Sequence, residues 1–167
     1  LVVFFMVNLE PNLRKLSISQ LDMRSSDADI EQWLVRNGYR DNFFTILLSN
    51  GIGMGLVLRG ELFTGSHSSG GEFGHMVHIP DGALCRCGRR GCIEAYAGNY
   101  AIFRHALGQS ERNPPAADIN DATMVAMAEA ARTGPGRERE AFLRAGEAIG
   151  FGLGSLFALI DPAPVAL

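Results

Sequence analysis

Short apolar runs alternate with polar or glycine-rich turns over the first third of the chain. The apolar run 1–7 and the alternating segment 16–21 predict two strands, which make a hairpin over residues 1–23. Apolar residues with helical spacing follow, with Trp33 on the apolar face. The apolar run 43–48 predicts another buried strand. We therefore expect this part of the chain to be mostly strand, with one helix.

Helical periodicity replaces this pattern in the second half of the chain. We predict one helix over 93–107, a second that Asp121 caps, and a long third helix over 137–160 that ends at an Asp-Pro pair. Within the third helix, three glycines recur every four residues: Gly146, Gly150 and Gly154. A stripe without side chains predicts a groove in which another backbone packs closely, despite a cost of about 1 kcal/mol per glycine.

Composition and charge limit the classes of function. With 167 residues, 47% of them hydrophobic, the chain can build one core or two small lobes. A net charge of −3 argues against a nucleic-acid surface within this segment. The apolar opening run has only seven residues and no basic residues before it, so we predict neither a signal peptide nor a membrane span. Because the sequence begins with Leu and stops just after an apolar helix, we expect both ends to be cut.

All three cysteines, Cys85, Cys87 and Cys92, lie within eight residues, and two glycines separate them. With His75 they make a four-ligand set of three thiolates and one imidazole, which is a standard combination for structural zinc. His78 is an alternative fourth ligand. The other interpretations are reduced thiols, or one disulfide with an unpaired thiol, since the count is odd. Unoxidised metal-binding cysteines favour a reducing, cytoplasmic compartment.

A glycine-rich segment over 49–55 follows the strand at 43–48 and predicts a turn that leads into another strand. The backbone amides of Gly51, Gly53 and Gly55 could line a phosphate there without side chains in the way. This strand–turn–strand order differs from a dinucleotide-binding fingerprint, which needs a helix after the glycines. The alternative is a plain tight hairpin.

Several motifs between Gly51 and Glu94 carry a family resemblance. They are Gly51-Ile52-Gly53-Met54-Gly55, Gly60-Glu61-Leu62-Phe63-Thr64-Gly65, Gly70-Gly71-Glu72-Phe73-Gly74-His75 and Cys85-Arg86-Cys87-Gly88-Arg89-Arg90-Gly91-Cys92-Ile93-Glu94. In this order and spacing they resemble the ROK family, the repressor, open-reading-frame and sugar-kinase group. The resemblance covers roughly residues 42–165.

The resemblance implies an α/β fold with two ribonuclease-H-like lobes of the actin/hexokinase type around a sugar cleft. It implies that His75 and the three cysteines hold zinc, and that Glu72, His75 and Glu94 bind sugar hydroxyls. The chemistry agrees, because a carboxylate accepts hydrogen bonds from paired hydroxyls. An imidazole that binds a metal through one nitrogen can also donate through the other. Solvated loop carboxylates are the alternative for the two glutamates.

The resemblance divides the chain into 1–41, a remnant of a truncated N-terminal lobe, and 42–167, the C-terminal lobe. Two kinase features are missing. The turn at 8–12 has no glycine and carries the carboxylate of Glu10, where kinases of this family hold ATP phosphates on glycine amides. The expected catalytic Asn-Asp pair is not found, and the reversed pair at 41–42 is given no catalytic role.

These departures favour the effector domain of a sugar-responsive transcriptional regulator. Such a protein would contact DNA only through a domain absent from this chain, upstream of Leu1. Asn50 points the same way, since it stands where kinases of the family usually have threonine. The alternative is a kinase that transfers a phosphoryl group from Mg-ATP to a hexose or amino sugar. In either case we expect a small-molecule sugar as ligand, no membrane partner, and a homodimer or homotetramer.

Overall fold

The computed structural model of the chain describes residues 42–67, 69–115, 117–160 and 165–166. The predicted N-terminal hairpin, the helix that contains Trp33 and the turn with Glu10 lie outside the described residues. They therefore stay predictions.

Four strands form a mixed sheet in the order β3-β2-β1-β4. The strands are β1 (Phe43–Leu48), β2 (Ile52–Leu58), β3 (Glu61–Leu62) and β4 (Val165–Ala166). Neighbouring strands β1, β2 and β3 are antiparallel, whereas β4 runs parallel to β1. The predicted strand over 43–48 is confirmed, and its alternate residues Phe44 and Ile46 are buried.

The glycine-rich turn is shorter than the sequence predicts. β2 begins at Ile52, so Gly53 and Gly55 lie in a strand, opposite Leu47 and Thr45 of β1. A Cβ at Gly55 would stand 2.5 Å from the Thr45 hydroxyl oxygen, so this glycine lets the two strands pair closely. The prediction of a turn that continues to residue 55 is therefore wrong.

Among the described residues, four α-helices lie between β3 and β4 in the chain: α1 (Glu94–Ala97), α2 (Asn99–Ala106), α3 (Asp121–Thr133) and α4 (Arg137–Ile160). The helix predicted over 93–107 is broken at Gly98, because the Asn99 amide donates to the Ser49 carbonyl oxygen at 2.9 Å. A third correction concerns α3, where the N-cap is Asn120 rather than Asp121. The Asn120 side chain accepts a hydrogen bond from the Thr123 amide at 2.9 Å.

The long helix α4 has the predicted bounds, but its glycine stripe does not pack as expected. Among the described residues, nothing lies within 4 Å of a Cβ built on Gly146, Gly150 or Gly154. The close approach occurs at Gly152 instead, where a Cβ would stand 2.5 Å from Ile93 Cδ1. Gly152 faces the core, so the absence of its side chain lets α4 pack on the segment before α1.

Of the helices that the structure describes, only α4 is long and apolar enough to cross a membrane by length and composition. Its buried residues include Ala145, Ala148 and Ile149, and it packs against α1, α2 and α3. One face of α4 is thus buried against the other helices, as in an amphipathic helix.

Candidate metal centre and ligand site

The segment that carries Glu72 and His75 packs directly on β2. A single 3-10 turn, Phe73–His75, inserts the Phe73 ring into the core, where it is 2% exposed. Gly74 lies against Ile52, and a Cβ there would stand 2.5 Å from the Ile52 carbonyl oxygen. The glycine therefore allows the close contact that sets where Glu72 and His75 stand relative to the sheet.

The cysteine loop contains few regular elements and is ordered by short backbone contacts. Isolated antiparallel bridges pair Val77 with Cys92 and Leu84 with Arg90. Inside the loop, the Cys85 amide donates to the Arg89 carbonyl oxygen at 2.9 Å. These contacts bring the two ends of the loop together, so that all three cysteines face one point.

The four predicted ligands come together. One ligand atom from each of His75, Cys85, Cys87 and Cys92 lies within 4.8 Å of the other three. The Cys87 and Cys92 sulfurs are 3.7 Å apart, and the Cys85 sulfur is 3.8 Å from His75 Nδ1. With Zn–S bonds of about 2.3 Å, a tetrahedral zinc site requires sulfurs about 3.8 Å apart. The donor types and spacing therefore fit zinc.

The alternative ligand His78 lies outside this group. Its ring packs against Tyr96 and Phe151, with centroid distances of 5.2 and 5.3 Å. Burial lowers the pKa of His78, which favours the neutral ring in this aromatic setting.

The three thiols differ in environment. Burial raises the pKa of Cys85 to about 12, and burial also raises the pKa of Cys92. Cys87 is exposed. Burial alone would raise its pKa, but hydrogen bonds from the backbone and side chain of Arg89 lower it to about 7. Two buried thiols thus disfavour their charged forms, and a divalent cation is the kind of partner that reverses this preference.

His75 has one nitrogen on each side of the site. Its Nδ1 faces the Cys85 sulfur, and its Nε2 is 3.7 Å from a carboxylate oxygen of Glu72. The Glu72 side chain is 66% exposed, so its oxygens are open to a ligand from solvent. Nδ1 thus lies with the metal ligands and Nε2 with Glu72, and the dual role of His75 stays a prediction.

Glu94 is a buried carboxylate, only 6% exposed, at the first position of α1. Its Oε2 accepts a hydrogen bond from the Ile52 amide at 3.1 Å. Its Oε1 lies 3.6 Å from the Cys85 sulfur and 3.5 Å from the Tyr100 hydroxyl oxygen. Tyr100 is a site residue that the sequence analysis missed, because nothing in its helical segment distinguishes it from other core residues.

The predicted phosphate-binding glycines are only partly brought to this site. Gly51 lies beside Glu94, whose Oε2 is 3.4 Å from a Cβ built on the glycine. Gly53 and Gly55 lie in β2, and the Met54 amide between them donates to the Gly71 carbonyl oxygen at 2.9 Å. Amides along a strand alternate in direction, so those of Gly53 and Gly55 face β1. Phosphate binding by the three glycines stays a prediction.

Asn50, at the same turn, ties the sheet to the chain before α3. Its amide nitrogen donates to the Ile119 carbonyl oxygen at 3.0 Å, and its side-chain oxygen accepts from the Ile119 amide at 2.8 Å. The asparagine amide carries its donor and its acceptor on separate atoms, so it can pair with both backbone groups of Ile119 at once. This structural role accounts for an asparagine at position 50, so Asn50 is not evidence for or against ATP binding.

Comparison with known proteins identifies the class that this fold and site define. The model of the ROK family matches residues 19–167. Glucokinase from Streptomyces coelicolor is 33% identical over 134 residues, which are 75% of this chain and 42% of that protein. N-acetylmannosamine kinase from Haemophilus influenzae is 51% identical over 61 residues, 36% of this chain and 20% of that protein.

Solved structures include both enzymes and a regulator. A ROK glucokinase from Streptomyces griseus, in complex with glucose and AMPPNP, gives a TM-score of 0.62 at 30% identity, with 84% of this chain and 49% of that chain covered. A ROK transcriptional regulator, a homologue of the E. coli MLC protein, gives 0.60 at 27% identity, with 75% and 32% covered. The chain spans less than half the length of these relatives.

The chain belongs to the ROK family and has its α/β, actin/hexokinase-type fold. The resemblance of the glycine, Glu-x-Gly-His and cysteine motifs is thus confirmed at the level of the family.

Proposed function

We propose that this chain binds a small sugar at a site that a structural zinc supports. The observation that carries the proposal is the arrangement around the four metal ligands. Glu72 stands on one side of them, next to His75, and Glu94 stands on the other, next to Cys85. Two carboxylates and an imidazole that share one rigid centre suit the recognition of several hydroxyl groups at once.

Zinc in this proposal has a structural role. Bound by His75, Cys85, Cys87 and Cys92, it would hold the loop that carries Glu94 against the segment that carries Glu72. Sugar contacts would come from this chain's own side chains, with the His75 Nε2–H as a donor and the carboxylates as acceptors.

Within the ROK family, we propose that the protein is the sugar-sensing part of a transcriptional regulator. Glu10 supports this proposal, because it lies in the segment predicted to match the turn where kinases of the family are expected to hold ATP phosphates. The likeness to a ROK regulator supports it as well. Asn50 no longer does, since its hydrogen bonds to Ile119 account for it.

A sugar kinase is the second candidate. The names of the matched relatives favour it, because they include glucokinases and an N-acetylmannosamine kinase. In a kinase, Mg-ATP would supply the phosphoryl group, and a carboxylate from outside the described residues would have to act as the base.

Titration calorimetry of the intact, zinc-loaded protein with glucose and N-acetylmannosamine tests the binding site. Glu72→Gln should weaken binding about tenfold or more, because it removes a charge-assisted hydrogen bond worth roughly 1.5–3 kcal/mol. Glu61→Gln is the matched control, since Glu61 is an exposed carboxylate on β3. Equal affinities of Glu72→Gln and the unsubstituted protein would contradict the proposed site.

A coupled assay with Mg-ATP and the same sugars separates the two functions. We expect sugar binding without turnover for a regulator. Turnover in the ordinary kinase range of about 1–100 per second would establish the kinase instead.

A further inference from the structure

Tyr100 lies at the junction of the metal ligands and the buried carboxylate. Its side chain is fully buried on α2. Its hydroxyl oxygen is 3.7 Å from the Cys85 sulfur and 3.5 Å from Glu94 Oε1. The same hydroxyl therefore faces a proposed metal ligand and a proposed sugar ligand.

Two cationic side chains pack against the ring of Tyr100. The Arg86 guanidinium lies over the ring at 4.3 Å from its centroid, and that of Arg104 at 5.8 Å. Arg104 is itself fixed, because it donates to the Ala95 carbonyl oxygen at 2.8 Å. Contacts to the ring therefore help to position the hydroxyl beside its two acceptors.

The two acceptors would repel each other without this hydroxyl. When Cys85 binds a metal as a thiolate, an anionic sulfur stands 3.6 Å from the carboxylate of Glu94. The Tyr100 hydroxyl is fully buried and is the donor toward both the Cys85 sulfur and Glu94 Oε1. A shared donor between two anions offsets their repulsion.

We propose that Tyr100 is a positioning residue whose hydroxyl links the Cys85 thiolate to the Glu94 carboxylate and so couples the metal centre to the sugar site. The inference rests on the proposed function in its reference to sugar. The link between Cys85 and Glu94 can be tested without any sugar.

Tyr100→Phe in the intact protein is the test, with Tyr96→Phe as the matched control. Tyr96 is also buried, and its hydroxyl oxygen accepts a hydrogen bond from the Ala83 amide at 2.9 Å; among the described residues its hydroxyl is hydrogen-bonded to neither Cys85 nor Glu94. Both variants remove one buried hydroxyl and keep the ring. Thermal unfolding of both shows how much each loses in general stability.

The sugar-independent measurement uses Co²⁺ in place of zinc, with the sulfur-to-cobalt charge-transfer band as the signal. Tyr100→Phe should shift this band, while Tyr96→Phe should not. Glu94→Gln should also shift the cobalt band. In the double variant with Tyr100→Phe, Glu94→Gln should add no further shift, because the hydroxyl that couples Glu94 to Cys85 is already absent. An unchanged band in Tyr100→Phe, or additive shifts in the double variant, would overturn the proposal.

The sugar-dependent measurement is the calorimetric affinity of the zinc-loaded variants for glucose and N-acetylmannosamine. Tyr100→Phe should weaken binding about three- to tenfold, the effect of one lost hydrogen bond, with the zinc content unchanged. If the unsubstituted protein binds neither sugar, the proposed function fails while the cobalt band still decides the role of Tyr100. Equal losses in Tyr96→Phe would reduce Tyr100 to a packing role.

Discussion

The glycine hairpin, which comprises β1, β2 and β3, and the cysteine loop over 75–94 are ordered by different forces. Six residue pairs join β1 to β2, and the hairpin leaves Leu47 and Leu62 more than 60% exposed. The cysteine loop has no strand ladder, but isolated bridges and scattered backbone hydrogen bonds join its segments, and Cys85 and Cys92 are at most 1% exposed. A continuous strand ladder orders the hairpin. In the loop, short backbone contacts act together with side chains that converge on one point.

The largest effect that would test this contrast is the loss of one metal ligand. Cys92→Ser should loosen residues 75–94 and cost several kcal/mol of stability, because metal binding at such a site contributes directly to folding. Amide hydrogen exchange should show faster exchange in the cysteine loop, with β1 and β2 little changed.

A chelator provides the matched control for that substitution. Removal of the metal from the unsubstituted protein should reproduce the exchange pattern of Cys92→Ser. If elemental analysis finds well below one zinc per chain while the thiols are reduced, or if the hairpin exchanges as fast as the loop, the contrast is wrong.

Two glycines of the cysteine loop allow a finer test of its geometry. Gly88 and Gly91 both have left-handed backbone, with φ of 84° and 82°. A Cβ on Gly91 would collide with the Ile79 carbonyl oxygen, whereas no described residue lies within 4 Å of one on Gly88. Gly91→Ala should cost more than about 2 kcal/mol, and Gly88→Ala only the backbone strain of about 1–2 kcal/mol.

Denaturant unfolding of the zinc-loaded variants measures both costs. Equal destabilisation by the two substitutions would show that the loop adjusts at Gly91 and that its close approach to Ile79 contributes little.

Much of this site could be predicted from the sequence, because the evidence was local. Three features depend on neighbouring residues alone: the apolar run that forms β1, the uninterrupted periodicity of α4, and the ligand spacing between Cys85 and Cys92. The features that could not be predicted depend on distant contacts. The break at Gly98 arises from a hydrogen bond between Asn99 and Ser49, and Tyr100 meets Arg86 and Glu94 only in the folded chain.

Two asparagines flank β1, and they extend the comparison to smaller effects. Asn50 makes two partly buried hydrogen bonds to Ile119, while the exposed Asn42 accepts one from the Arg59 amide at 2.8 Å. Asn50→Ala should cost about 1–3 kcal/mol in the free energy of unfolding, since it leaves partly buried backbone groups without partners. Asn42→Ala should cost less, because water can replace its bond. A larger loss in Asn42→Ala would contradict this assignment.

The smallest expected effect concerns Cys87, the exposed thiol of the cysteine loop, and is measured as the rate of its alkylation. In metal-free protein, the pKa of Cys87 is lowered to about 7, with the hydrogen bonds from Arg89 outweighing burial. The lowered pKa of Cys87 means that its thiolate stabilises the metal-free fold. This stabilisation is fully present above the pKa of the unfolded thiol and is lost as the pH falls through about 7.

Iodoacetamide should therefore modify Cys87 first, with a rate that rises through pH 7, while the buried Cys85 reacts slowly. Mass spectrometry of the alkylated peptides identifies the site, and Arg89→Ala should move the midpoint to higher pH. Faster labelling of Cys85 than of Cys87 would show that the loop does not keep this arrangement without its metal.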